Sequence, residues 1–184
     1  MSYKTIRNRT EASFTEKKSE FIGYISPAGT EEEAIGFINE IRAMHRKATH
    51  NCYAYILRNN NTGRHSDDGE PGGTAGMPIY DVLFKNGITD VVCVVTRYFG
   101  GILLGTGGLV HAYSKGASMA LANAEIVNME VADSLKISCD YTMYGIVNSV
   151  LPEFESIIRD TEFTDSVCTV SYTHLRAHET RHDL

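Results

Sequence analysis

The chain has 184 residues, a hydrophobic fraction of 42% and a formal net charge of −6. That length allows one medium domain or two small ones with an adequate core, and the acidic balance excludes a free-standing basic nucleic-acid module. No secretory leader stands in residues 1–21, no apolar run nears the roughly 20 residues that span a bilayer, and Cys52, Cys93, Cys139 and Cys168 lack C-x-x-C spacing, so a cytoplasmic protein with reduced thiols and no membrane contact is expected.

In chain order, residues 18–26 read as a strand closed by Pro27 and Gly29. Thr30 followed by Glu33 forms a capping box, and Ala34, Phe37, Ile38, Ile41 and Met44 follow at helical spacing. Acids open this helix, and Arg42, Arg46 and Lys47 close it, as the macrodipole favours. Residues 50–57 form a second strand, with His50, Cys52, Ala54 and Ile56 alternating against Asn51, Tyr53 and Tyr55. Residues 58–76 read as a long polar loop, and 77–85 as a short helix with Pro78 in its first turn. Residues 90–98 (DVVCVVTRY) are almost continuously apolar, the pattern of a strand covered on both faces. A long helix runs from Thr106 to about Ala124, and 125–131 add a strand. Beyond a boundary near Ala132-Asp133 come a strand (135–140), a helix (141 to about 151) and strand segments at 157–158 and 166–172. Residues 1–132 carry 13 basic against 14 acidic side chains, and 133–170 carry 2 against 7, so nucleic-acid contact would need a local patch.

Eleven of the sixteen glycines fall between Arg64 and Ala117, a stretch in which two glycine-dense loops bracket the short helix and the apolar strand. Asp67, Asp68 and Glu70 stand in the first loop. Three carboxylates in four residues suit a hard cation, but Asp side chains also bond backbone amides in tight turns. Neighbouring Arg64 and His65 favour the structural reading, so no metal is assigned. Gly100, Gly101, Gly105, Gly107 and Gly108 lead from a strand end into a helix start, where free amides can hold an anion. Arg97, with His111, Lys115 and Ser118 along the helix, would complete such a face; tight helix–strand packing is the competing explanation. The spacing is neither a Walker loop nor a Rossmann fingerprint, so no cofactor is expected. His50 reads as a packing residue, and Tyr98-Phe99 as core aromatics that could alternatively stack on a base. His178-Glu179-Thr180-Arg181-His182 is a literal H-E-x-x-H without a third ligand within reach, and a zinc site there is rejected.

Taken together, SDDGEPGGTAGMP (66–78) and VTRYFGGILLGTGGLVHAYSKGA (95–117) resemble the YigZ/IMPACT family. Every position of its D-D-G-E-P, G-T-A-G-x-P, V-T-R-Y-F-G-G, L-G-x-G-G-L and Y-S pattern is filled, and the resemblance covers about residues 15 to 170. It implies an α+β fold. Residues 1–132 would resemble the second domain of a ribosomal protein and domain four of elongation factor G, with a left-handed βαβ crossover. Residues 133–170 would be part of a ferredoxin-like domain like domain five of that factor. A full unit of that kind needs another helix and strand; residues 171–184 instead resemble adapter read-through and are expected to be a non-native tail. Eukaryotic relatives regulate translation under amino-acid stress by competing for a kinase activator. The resemblance therefore implies a non-enzymatic, translation-associated stress-response protein. Its partner would be RNA, the ribosome or a translation factor, and not DNA. Arg64, His65, Arg97, the loop glycines, His111 and Lys115 would form the contact face. The alternative is a small metal-dependent hydrolase or phosphate-ligand enzyme built on the 65–70 loop, with Asp67, Asp68, Glu70 and His65.

Overall fold

The computed structural model describes residues 2–59, 62–154 and 156–174. The chain divides into two compact units, Tyr3–Met129 and the residues from Glu130 onward. Both combine helices and antiparallel strands, so the fold is α+β.

The first unit is built on a five-stranded sheet in the order β2-β3-β6-β4-β5 (Thr10–Glu16, Ser19–Pro27, Val91–Tyr98, His50–Leu57 and Thr62–Ser66). Every pairing in it is antiparallel. Strands β3 and β4 flank β6, so they run parallel to each other, and helix α1 (Glu31–Met44) links them. The alternation of strand side chains explains the long apolar run of β6. Val91, Cys93 and Val95 pack on one face with α2 (Gly76–Lys85) and α3 (Gly105–Asn123), through Ile79, Leu83, Leu109 and Tyr113. Val92 and Val94 pack on the other with Phe37, Ile38 and Ile41 of α1. Burying each such side chain contributes about 1.5–3 kcal/mol. Small residues of α3 (Ala112, Gly116, Ala117 and Ala120) let the helix lie close on the sheet.

Three sequence expectations need correction. The stretch 58–76 is not all loop: β5 lies inside it as an edge strand, and TGRHS carries no apolar alternation to announce it. Strands β1 (Tyr3–Ile6) and β2 were not foreseen, because their short, polar sequences lack a buried face on each side. The strand expected at 125–131 is Ile126–Met129 (β7), and it pairs with β1 in a separate two-stranded sheet. Cys52 and Cys93 are buried free thiols, whereas Cys139 and Cys168 are half-buried; burial pushes the Cys93 thiol up to about 12.

In the second unit, β8 (Ala132–Cys139), α4 (Tyr141–Val150), β9 (Ile157–Phe163) and β10 (Val167–His174) give a sheet in the order β8-β10-β9. Asp140 caps α4 by accepting from Met143 N at 2.9 Å. Residues 178–182, with the H-E-x-x-H pattern, lie outside the described residues; the backbone of His174 belongs to β10. No helix among the described residues is long and apolar enough to cross a membrane.

At the start of α1, Thr30 accepts from Glu33 N at 3.2 Å, while Glu33 Oε2 accepts from Gly29 N at 2.7 Å, one residue beyond the N-cap amide that the box implies. Replacing Thr30 with Ala removes one of these bonds and is expected to destabilise the chain by about 1 kcal/mol, read as a lower urea midpoint with an unchanged m-value.

Candidate functional site: a cleft between the acidic turn and the glycine loop

The acidic turn is held from within. Asp67 Oδ1 accepts from Ala75 N at 3.0 Å and Gly76 N at 2.8 Å, and its Oδ2 accepts from Gly73 N at 2.8 Å. Helix α2 has no side-chain cap of its own at Ala75, so Asp67 satisfies amides that the helix start leaves open. Burial pushes the Asp67 carboxyl up, but the bonds from Gly73, Gly76 and Ala75 outweigh it and hold the group below its ordinary value. Asp68 is also engaged on both oxygens, by Arg42 Nη2 at 2.9 Å and Asn51 N at 2.7 Å.

Glu70 points into the protein. It is 9% exposed, and its Oε1 accepts from Arg97 Nη1 at 2.6 Å and from the Tyr113 hydroxyl at 2.7 Å. Arg97 is 5% exposed, has its guanidinium 5.5 Å from the Phe21 ring centre and 5.4 Å from that of Phe99, and reaches Ser19 Oγ at 3.4 Å. Among the described residues its Nε has no hydrogen-bond partner. Burial, with Cys52 and Glu70 alongside, pushes the Tyr113 hydroxyl far above its ordinary range, so it stays a donor to Glu70. Burial likewise pushes up the Cys52 thiol, whose Sγ donates to Asp67 O. Both glycine-loop ends are therefore fastened to one buried ion pair. Among the described residues no group of three His, Cys, Asp or Glu is arranged to hold a metal ion.

The second loop leaves β6 at Tyr98 and enters α3 at Gly105. A Cβ on Gly100 would stand 1.9 Å from Lys18 O, so only glycine lets the loop cross the β2–β3 turn. Gly105 has φ +76°, which opens α3 from the left-handed region. The first turn of α3 holds no acidic side chain and no side-chain cap. Ahead of Gly105 the loop exposes Phe99, Ile102 and Leu103, the last by 82%.

A cleft of about 420 Å³ opens where the two loops meet. Its floor and wall include His50, Glu70 and Arg97, and its rim includes Phe99, Leu103 and Gly105. Thus Arg97 and Gly105 from the expected anion face meet Glu70 from the alternative acidic site. The other expected residues do not border this cleft. Arg64 stands on β5 3.3 Å from Glu31, and His65 lies against the Tyr80 ring. Lys115 sits 4.4 Å over the Phe14 ring, and His111 is exposed on α3. Gly101 belongs to the loop, and Gly107 and Gly108 to the first turn of α3.

Sequence reasoning missed four cations. Lys17 and Lys18 form the β2–β3 turn, and Arg46 and Lys47 lie in the turn closed by Ala48 N to His45 O. All four are exposed and have no ion pair among the described residues. The sheet register places both turns at the end where β6 leaves: Glu20 pairs with Tyr98, and His50 with Arg97. Thr49 Oγ1 accepts from Phe99 N at 3.0 Å, and Ser19 Oγ from Gly100 N at 3.2 Å, joining each turn region to the glycine loop. Adjacent basic pairs at element boundaries were the only available signal, and without the pairing they looked like ordinary surface charge.

The family model of the Impact N-terminal domain matches residues 17–121. IMPACT family member YvyE of Bacillus subtilis is 40% identical over 90% of this chain and 77% of its own length. IMPACT family member YigZ of Escherichia coli is 35% identical over 80% of this chain and 74% of its own. A crystal structure of a hypothetical protein superposes with a TM-score of 0.69 at 30% identity, covering 96% of this chain and 87% of that one.

The lowered Asp67 value carries a sign. Its stabilisation is fully present above the unfolded carboxylate value of ~4 and is lost as the pH falls through the folded value. Asp67→Asn is expected to cost about 1–2 kcal/mol at pH 7 and to flatten the acid limb of a stability–pH curve measured by urea unfolding. Parallel acid limbs in the two proteins would contradict the assignment.

Proposed function

The chain belongs to the IMPACT family, and from that premise we propose that it is a cytoplasmic, translation-associated regulatory protein that acts by binding RNA, ribosomal RNA included, and not by catalysis. One observation carries the reading: Lys17, Lys18, Arg46 and Lys47 stand exposed and unpaired, among the described residues, on both sides of the Phe99–Leu103 loop. Exposed cations around an exposed aromatic ring are the ingredients of a single-strand binding surface, in which phosphates meet charge and bases meet a ring. The patch is local, as a chain of net charge −6 requires.

The same geometry moves the binding surface away from part of the expected face. Arg97 is buried against Glu70, Arg64 is drawn to Glu31, and Arg42 to Asp68, so these cations are offset within the protein. A hydrolase using Asp67, Asp68 and Glu70 draws no support from carboxylates already occupied by amides, Arg42, Arg97 and Tyr113. We assign the binding role to residues 1–132 and propose for them the ribosomal-protein second-domain fold. The strand–helix–strand–strand order of the second unit, with β10 between β8 and β9, supports a partial ferredoxin-like reading.

Binding of labelled single-stranded RNA, measured by anisotropy across a salt series, tests the proposal, with co-sedimentation of ribosomes as its cellular counterpart. Affinity is expected to fall steeply with salt. Each pair replacement, Lys17→Ala with Lys18→Ala or Arg46→Ala with Lys47→Ala, should weaken binding and reduce the log–log salt slope by about 1–1.5. Absent or salt-insensitive binding would overturn the RNA reading.

A further inference from the structure

The cleft beside the glycine loop has a floor whose hydrogen-bonding pattern is specific. Glu70 Oε1 is saturated by Arg97 and Tyr113, while its Oε2 accepts no bond from a described residue. His50 Nδ1 lies 2.8 Å from Asp68 O, and a carbonyl only accepts, so Nδ1 carries the proton. In the neutral ring that leaves Nε2 as an acceptor, 3.8 Å from Glu70 Oε1 and too far to be bonded to it. His50 and Glu70, which both line the cleft, therefore each leave one acceptor open, with His50 Nε2 3.8 Å from the Glu70 carboxylate. Arg97 does not make this floor a phosphate trap, because Glu70 already offsets its charge at 2.6 Å.

Above the floor the surroundings suit a flat ring. Phe99 is 46% exposed and lines the cleft, with the Arg97 guanidinium 5.4 Å from its ring centre. Leu103 and Leu109 add apolar surface. The uncapped first turn of α3 and the exposed cations of the neighbouring turns offer positive potential at the mouth. Paired acceptors, an aromatic face and a cationic mouth match a nucleobase that presents two adjacent N–H donors and trails a phosphate backbone. Guanine alone among the four RNA bases has such a pair, N1–H beside N2–H.

We propose that the cleft holds one unstacked guanine of a single-stranded RNA, its N1–H and N2–H donating to Glu70 Oε2 and His50 Nε2 and its face against Phe99. This deepens the RNA-binding reading above and rests on it. Neighbouring nucleotides extend over the mouth toward Lys17, Lys18, Arg46 and Lys47.

The probes are short labelled U-rich oligoribonucleotides with one central G, inosine, A or U, titrated against the full chain by anisotropy. The G probe is expected to bind about tenfold more tightly than the A or U probe, and inosine, which lacks the N2 amino group, in between. Phe99→Ala, at an exposed site, should lower affinity for the G probe about tenfold while the salt slope stays unchanged. Equal affinity for all four probes, with steep salt dependence kept, would overturn the guanine site and leave the cationic surface standing. No binding of any probe would overturn both and leave this end of the sheet to a protein partner.

Discussion

The buried pair of Glu70 and Arg97 is the constraint around which the first unit is organised. Glu70 belongs to the acidic turn, Arg97 to the central strand β6, and Tyr113, which donates to the same carboxylate oxygen, to α3. One oxygen atom thus ties a loop, a strand and a helix. Taking both charges out of water is costly, and the pair persists because each supplies what the other needs at short range. The Phe21 and Phe99 rings, 5.5 and 5.4 Å from the guanidinium, add cation–π contact to it.

From that knot the division of labour in the glycine-rich stretch follows. Asp67 closes the amino end of α2, Asp68 bonds Arg42 and the β4 backbone, and Gly100 lets the second loop cross the β2–β3 turn. These residues build a frame. What the frame presents is the cleft, the exposed Phe99–Leu103 loop and the cationic turns, all at one end of the sheet. Residues of the glycine-rich motifs therefore hold this surface in place, and the exposed cations stand in short turns outside those motifs.

Helix α1, strand β4, strand β6 and helix α3 were legible because their apolar periodicity reports directly on which face is covered. Strand β5 was not, since an edge strand of Gly, Arg, His and Ser buries little and its pairing is set by β4. The site was readable in its ingredients and not in its pairing. Sequence placed Arg97 on a ligand face and Glu70 in a possible metal site, and the fold joins them to each other. That partnership spans 27 positions and depends on how the acidic turn folds over β4, which no local pattern encodes. His50, read as a packing residue, borders the cleft because β4 begins where the acidic turn ends.

A double-mutant cycle between Glu70 and Arg97, followed by urea unfolding, tests most directly whether the pair holds the frame together. Glu70→Gln and Arg97→Met should each destabilise the chain by about 3–5 kcal/mol, because each strands a buried partner. The double replacement should cost less than the sum of the two by about 2 kcal/mol or more. Additive single effects, or single variants as stable as the parent, would contradict a frame fastened by this pair.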